Sequence, residues 1–124
     1  MLTMTIEDFD IEILNATYAY TETLLTFDNP SEVEFHSLIV EQRLDLNEEY
    51  FAFSRAPNPT TLYPLRLLPQ SKANMTLRLE VPQQKMPLLQ STAQKHWLIT
   101  ITVVCEGPIV ERFSIGDYAS FTTD

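Results

Sequence analysis

The stretch "LLTFDNPSEVEF" (residues 24–35) begins and ends like a β-strand, but its apolar run is interrupted at Asp28-Asn29-Pro30-Ser31. Proline donates no hydrogen bond to a ladder and disfavours helical backbone in the residue before it, so Asn29-Pro30 ends the strand. Asp28 and Ser31 are residue types that bond local backbone groups. We therefore predict that the chain crosses here from one sheet to another. This makes Asn29 and Pro30 structural, with a ligand contact at the junction as the alternative.

Alternation of apolar and polar residues is the main pattern in the rest of the chain. It places successive side chains on opposite faces of a strand. The segments "DFDIEI" (8–13) and "NMTLRLEVP" (74–82) alternate most regularly, with apolar positions separated by charged or hydroxyl side chains. Both are predicted to be strands with one face in a core and one in water. The segment "YAYTETLLTF" (18–27) is rich in aromatic residues and threonine, which also favour a strand.

Two predicted hairpins account for most of the remaining strands. The first joins "SLIVEQRLDL" (37–46) to "EYFAF" (49–53), and the second joins "HWLITITVVC" (96–105) to "IVERFSI" (109–115). The alternation places the following apolar residues on one face of each hairpin: Leu38, Val40, Leu44 and Leu46, interrupted by polar Gln42, in the first, and Ile109, Phe113 and Ile115 in the second.

The segment "QQKMPLLQSTAQK" (83–95) is the one predicted helix, with Pro87 near its start, where a missing N–H costs little. The other prolines are expected between strands, as ladder hydrogen bonding requires; they are Pro30, Pro57, Pro59, Pro64, Pro69, Pro82 and Pro108. About seven short strands with this spacing predict an all-β, antiparallel sandwich of the immunoglobulin or fibronectin-III type with one short helix. At 124 residues, the chain is expected to form one domain, 1–124.

The net charge argues against some classes of partner, and the single cysteine excludes an intramolecular disulfide. The net charge is −9, which repels phosphate backbones and anionic lipids, so nucleic acid is not an expected partner. The lone cysteine, Cys105, cannot form an intramolecular disulfide, and its place at the end of an apolar run predicts a core thiol.

No apolar run approaches the roughly 20 residues that span a bilayer, and the first residues lack the basic and apolar regions of a leader. We expect a cytoplasmic protein, or an extracytoplasmic one if a leader has been removed. The oligomeric state stays open.

The order of these segments resembles the late embryogenesis abundant type 2 family, also called the water stress and hypersensitive response domain. The resembling parts, in chain order, are "LLTFDNP", "VEFHSLIVEQRLDLNEEYFAF", "LRLLPQSKANMTLRLEVP", "HWLITITVV" and "EGPIVERFSIGDYASF". They cover residues 9–122, nearly the whole chain. The resemblance implies a folded, non-catalytic protein linked to desiccation and other stresses, with no defined reaction.

One hairpin departs from the family pattern. The family usually has a glycine in the turn after the second core strand, whereas "LNEEY" (46–50) has none. The chain has only two glycines, Gly107 and Gly116. Tight turns that need a positive φ must therefore use asparagine or be replaced by longer loops.

The residue types that perform most catalysis are not grouped in the sequence. His36 and His96 lie 60 residues apart without a cysteine or aspartate at metal-ligand spacing. The segment "DLNEEY" (45–50) starts like a calcium loop, but Tyr50 stands where that loop needs glycine and Ala56 where it needs glutamate. Neither a nucleophile elbow nor a glycine-rich phosphate loop occurs. We predict no catalytic residue, no metal site and no cofactor.

Two classes of function remain. One is a stress-associated protective or binding module, as the resemblance implies, and the other is an immunoglobulin-like interaction or assembly domain of a larger complex. In both, the expected partner is another protein. Five aromatic residues form the candidate interaction patch: Tyr50, Phe51, Phe53, Tyr118 and Phe121. Three of them, in "EYFAF", cannot all face the same way along a regular strand, so at least one ring is expected near solvent or beneath the loop formed by residues 51–64.

Overall fold

The computed structural model describes residues 1–57, 65–109 and 111–124, which form two antiparallel β-sheets packed face to face. The smaller sheet has the order β1-β2-β6, with β1 at Thr3–Ile13, β2 at Ala19–Asn29 and β6 at Ser71–Glu80. The larger sheet has the order β4-β3-β7-β8, with β3 at Phe35–Leu46, β4 at Glu49–Pro57, β7 at Lys95–Glu106 and β8 at Phe113–Thr123. A short strand, β5 at Leu65–Leu67, pairs with the start of β3. The predicted all-β sandwich is confirmed, with eight strands in the described ranges.

The junction at Asn29-Pro30 lies where the sequence predicts a change of sheet. Strand β2 ends at Asn29 in the smaller sheet, and the chain re-enters the larger sheet at Phe35. Phe27, at the end of β2, is 1% exposed, so its ring belongs to the core between the sheets. The predicted crossing is confirmed.

Apolar side chains from both sheets meet around Trp97. The Phe9 ring lies 5.2 Å from it and the Phe51 ring lies 5.1 Å from it in an edge-to-face arrangement. Aromatic pairs at such distances contribute beyond their buried area. Cys105 is also fully buried, as predicted, and burial raises the pKa of its thiol to about 11.

A polar pair crosses this core. Gln42, the polar residue in the apolar run of β3, is 2% exposed, and its Oε1 accepts a hydrogen bond of 2.8 Å from the Thr23 hydroxyl on the opposite sheet. Burial of an amide is tolerated when it is hydrogen-bonded. Gln42 therefore belongs to the inner face after all, held by a partner that is remote in sequence.

The predicted inner faces of the two hairpins need corrections. A β-bulge between Ser37 and Ile39 shifts the register of β3, so Leu38 does not share the fully buried row of Val40, Leu44 and Leu46. A bulge inserts one residue and reverses the faces of those beyond it.

Ile109 is also placed wrongly by the pattern. It lies before β8 and is 84% exposed, whereas Phe113 and Ile115 are half-buried against the core.

The helix is shorter than predicted. Residues Gln83–Lys85 form a 3-10 turn, and helix α1 runs only over Met86–Ser91, with Pro87 in its first turn. Lys95 already belongs to β7. Pro57 is the last residue of β4 rather than part of a connection, while the prediction that Pro59 and Pro64 lie between strands falls outside the described residues. No helix within the described ranges has the length and apolarity to cross a membrane.

Candidate functional site: the outer face of the larger sheet

Strand β4 contains a bulge that decides which of its aromatic side chains reach solvent. Asp45 of β3 pairs with Tyr50, and Leu44 pairs with Ala52, so Phe51 is the inserted residue. Residues three positions apart in a regular strand point to opposite faces. Because Phe51 is inserted between them, Tyr50 and Phe53 both face outward, and they are 51% and 49% exposed. Phe51 is 1% exposed and packs in the core.

The candidate patch must therefore be corrected. Phe51 is buried, and Phe121 is half-buried on the inner side of β8, where its ring lies 5.9 Å from that of Phe9. Tyr118 remains on the outer face and is 74% exposed. Sequence reasoning missed Leu98 of β7, which is 39% exposed on the same face. The exposure of Leu98 could have been predicted from the alternation of β7, because its neighbours Trp97 and Ile99 face inward.

The strand register places the four exposed residues on two adjacent rows across the sheet. One row is Tyr50–Asp45–Leu98–Ser120, and the next is Phe53–Arg43–Thr100–Tyr118. We call the surface made by Tyr50, Phe53, Leu98 and Tyr118 the aromatic face. With strands about 4.8 Å apart, it extends about 14 Å across the sheet.

Basic side chains lie next to this aromatic face, although the protein is acidic as a whole. The Arg43 guanidinium is 5.4 Å from the centre of the Tyr50 ring, and the Lys85 ammonium is 5.6 Å from it. Cations over aromatic rings at such distances are attracted by the ring electrons. Arg43 also binds Asp45 at 3.2 Å, and Arg55 binds Glu41 at 2.9 Å. The surface therefore combines exposed rings with both signs of charge.

A shallow groove of about 640 Å³ borders the aromatic face at the end of the sheet nearest the β3–β4 turn. Its lining includes Arg43, Glu48, His96, Leu98 and Ser120. The His96 ring lies 3.3 Å from the Thr122 hydroxyl, and the nearby Asp45 carboxylate is occupied by Arg43. An imidazole beside a hydroxyl is the start of a nucleophile and base pair, but no side chain in the described ranges is bonded to the other ring nitrogen of His96, so the third group that would orient the base is not in place.

The two histidines cannot share a ligand. His36 pairs with Glu106 at one end of β7, whereas His96 lies ten residues away along that strand, a separation of about 33 Å. His36 instead contacts Glu34 at 2.9 Å, and Glu34 also accepts a hydrogen bond from Arg66 that lowers the pKa of its carboxyl group. Among the residues with described positions, no three histidine, cysteine or acidic side chains are grouped as metal ligands.

The side chain of Asn29 is bonded on all sides. It is 1% exposed, and its amide nitrogen donates to the carbonyl oxygens of Val33, Leu67 and Leu68 at 2.8, 2.9 and 3.1 Å. Its oxygen accepts from the Ser31 hydroxyl at 2.6 Å. Asn29, rather than Asp28, thus makes the local bonds predicted from sequence. These contacts support the structural interpretation of the junction.

Comparisons with known proteins show similarity at the level of the fold. No family model matches the chain, and no curated protein matches it. Among solved structures, a protein described as late embryogenesis abundant (LEA), At2g46140.1, superimposes with a TM-score of 0.76 at 12% identity, covering 99% of this chain and 70% of that one. The protein AT1g01470 from Arabidopsis thaliana gives the same TM-score and identity, with 98% and 80% covered. A protein from Archaeoglobus fulgidus gives 0.61 at 14% identity, with 97% and 98% covered.

The resemblance seen in the sequence is therefore confirmed for the fold. The two neighbours with a TM-score of 0.76 share the sandwich over almost the entire chain, although only about one residue in eight is identical. Such a match shows that the chains share an arrangement of strands.

Proposed function

We propose that this chain is a non-catalytic, stress-associated module that protects or binds other proteins. The observation that carries this proposal is the shared fold, over 99% of the chain, with a protein described as late embryogenesis abundant. The arrangement of reactive side chains supports it: the two histidines lie at opposite ends of the ladder between β3 and β7, and the Cys105 thiol is buried with a raised pKa.

The aromatic face supplies a mechanism for such protection. Proteins that lose water or partly unfold expose apolar surface, and a face that carries Tyr50, Phe53, Leu98 and Tyr118 can cover part of it. Aromatic residues are enriched where proteins bind one another. The net charge of −9 then disfavours aggregation, because covered molecules repel one another.

A drying assay tests this function. A dehydrogenase that loses activity on drying is dried and rehydrated with the protein, with an equal mass of serum albumin, or with buffer alone. We expect the protein to preserve more activity than albumin does. Activity equal to that with albumin would reject the protective function.

Variants of the same assay test the mechanism. The triple variant Tyr50→Ser, Phe53→Ser, Tyr118→Ser removes three exposed rings, whereas Ile109→Ser removes a highly exposed apolar side chain outside the aromatic face. Circular dichroism first confirms that both are folded. We expect the triple variant to protect less and Ile109→Ser to protect normally. Equal protection by both variants would exclude the aromatic face as the binding surface.

The same surface favours a second candidate, an interaction domain of a larger assembly. Here the aromatic face would bind one specific partner rather than many unfolded proteins. Affinity purification with the parent protein and with the triple variant separates the two candidates. A single partner that is retained at fixed stoichiometry by the parent, and lost from the triple variant, supports an assembly domain, particularly if the drying assay shows no protection.

A further inference from the structure

Strand β6 forms one border of the smaller sheet. Its ladder with β2 is continuous from Tyr20 paired with Glu80 to Asn29 paired with Ser71, with no shift in register. No strand in the described ranges pairs with the other side of β6. The ten residues of β6 contain no proline, and none of them has a positive φ. A regular row of backbone donors and acceptors is therefore available along this edge.

Two other border strands, β1 and β4, contain features that discourage further pairing. Strand β1 has a bulge between Ile6 and Asp8, and the Ile6 amide is bonded to the side chain of Asp117 at 3.0 Å. Strand β4 has its own bulge and ends with Pro57. Bulges, prolines and charges at the edge are ways in which natural proteins prevent edge-to-edge association. Strand β6 has neither a bulge nor a proline.

The charges of β6 are arranged to complement themselves. Its outward side chains are, in order, Lys72, Asn74, Thr76, Arg78 and Glu80. If two copies pair antiparallel about a two-fold axis at Thr76, Lys72 of each copy lies opposite Glu80 of the other. Opposite charges at facing positions stabilise a strand pair, and like charges destabilise it. A slip of two residues that brought Lys72 opposite Arg78 would create two repulsive pairs.

The two charged groups at the ends of this register are available for new contacts. Lys72 forms no ion pair with any residue whose position is described, and the contact of Glu80 is a hydrogen bond of 3.3 Å from the Tyr18 hydroxyl. Arg78, in contrast, lies 3.5 Å from Glu22 and 4.0 Å above the Tyr20 ring. In the two-fold register it faces Asn74, which requires no new charge partner.

We propose that β6 is a homodimerisation edge, where two copies join their smaller sheets into one six-stranded sheet centred on Thr76. The inward residues Met75 and Leu77 are already buried in their own core, so backbone hydrogen bonds and the two Lys72–Glu80 pairs form the contact. An interface of this kind is small, and the protomers, each with a net charge of −9, repel one another. The dimer is therefore expected to form reversibly as concentration rises.

Charge reversal tests the pairing, with the dissociation constant measured by sedimentation at about 0.15 M salt, where charges are screened beyond about 8 Å. Lys72→Glu places a glutamate opposite Glu80 at both ends of the strand pair. Glu80→Lys places a lysine opposite Lys72 at both ends. Each single variant should weaken self-association by about tenfold or more. The double variant should recover it, and a mixture of the two single variants should form a heterodimer. Arg112→Glu, which makes the same charge change far from β6, should have no effect.

A cysteine placed on the two-fold axis tests the register. In Thr76→Cys, the two thiols face each other at the roughly 5 Å separation of paired strand residues, so mild oxidation should give a covalent dimer. In Asn74→Cys, the thiols lie four positions apart along the pair, about 13 Å, and should not be linked. Cys105 does not compete, because it is fully buried.

Either of two results would overturn the proposal. A protein that stays monomeric up to millimolar concentration would reject the dimer itself. A dimer that is insensitive to Lys72→Glu, or that crosslinks through Asn74→Cys instead of Thr76→Cys, would show that another surface or register joins the two copies. All substituted positions on β6 are exposed in the monomer, so circular dichroism is expected to show unchanged folding.

Discussion

At the scale of single residues, Asn29 shows how one polar side chain can hold a change of sheet. Its amide reaches the carbonyl groups of Val33, Leu67 and Leu68, which belong to two separate segments at the end of β2. Those carbonyls lie where regular pairing stops, and buried carbonyls without partners are costly. In the Asn-Pro motif, Pro30 thus ends the strand, and the Asn29 side chain supplies hydrogen bonds where the ladder is interrupted.

Three substitutions at this junction are expected to rank in a fixed order of stability loss. Phe27→Ala should cost about 3 to 5 kcal/mol, because it leaves a cavity in the core. Asn29→Asp, which keeps the shape but cannot donate as a carboxylate, should cost about 2 to 4 kcal/mol. Pro30→Ala should cost about 0.5 to 1 kcal/mol, mainly by loosening the unfolded chain and the turn. Urea denaturation at pH 7 measures all three.

A reversal of this order would have a specific meaning. If Pro30→Ala cost as much as Asn29→Asp, the rigidity of the proline rather than the side-chain bonds of Asn29 would hold the junction. Binding of a partner should be unchanged in the folded Pro30→Ala variant. A loss of binding there would favour the ligand-contact interpretation.

At the scale of elements, the β3–β4 hairpin has a turn whose backbone conformation is unusual for its residues. Asn47 and Glu48 have φ values of 49° and 70°, as a two-residue turn with mirror-image geometry requires. Asn47 tolerates this conformation, and its backbone and side chain both bond to His96, at 2.8 and 2.9 Å. The use of asparagine in place of glycine is confirmed, but Glu48 has no such adaptation to a positive φ.

Replacement of Glu48 by glycine should stabilise the protein. The left-handed backbone conformation costs an L-residue about 1 to 2 kcal/mol, which glycine avoids, although glycine also makes the unfolded chain more flexible. We expect Glu48→Gly to raise the free energy of unfolding by about 0.5 to 1 kcal/mol in urea denaturation. Glu49→Gly is a matched control, because it removes the same charge one position later, within β4. It should destabilise the protein.

The elements also show where prediction from sequence succeeds. Strands β1 and β6 follow a strict two-residue pattern over most of their length, so their inner faces could be predicted from local alternation alone. The three bulges could not, because each is defined by pairing with a strand elsewhere in the chain. Each bulge reverses the faces beyond it, which explains both the wrong placement of Leu38 and the inclusion of buried Phe51 in the candidate patch.

The length of the helix and the position of its end could not be predicted from sequence, for a related reason. The segment 83–95 consists mostly of helix-forming residues, but Lys95 pairs with Thr123 of β8 and belongs to β7. Tertiary pairing overrides local preference at such borders. Similarly, the alternation alone does not distinguish Ile109 from Phe113, although Phe113 packs edge-to-face against Phe35, at 5.5 Å.

At the scale of the whole molecule, the surface is divided between two chemically different faces. The outer face of the larger sheet carries the aromatic face and the neighbouring cations Arg43 and Lys85. The outer positions of β1 in the smaller sheet are mostly acidic or threonine. This division lets one side contact other proteins while the other maintains repulsion in solution. The proposed β6 edge lies on the smaller sheet, so a dimer would display two separate aromatic faces.

The contact between β1 and β8 has a further consequence, for the speed of folding and unfolding. The hydrogen bond from the Ile6 amide to Asp117 joins residues 111 positions apart, and Asp117 is a charged residue on the otherwise mostly apolar inner side of β8. Because closing so large a loop costs chain entropy, we expect this contact to form after the main folding barrier is crossed. Asp117→Ala should therefore raise the unfolding rate about tenfold and leave the folding rate almost unchanged, as measured by stopped-flow mixing in urea. Asp117→Asn, which keeps an acceptor oxygen, should have a smaller effect, whereas slower folding in Asp117→Ala would place this contact in the folding nucleus. The lifetime of the folded protein is thus expected to depend on a single carboxylate at the seam between its first and last strands.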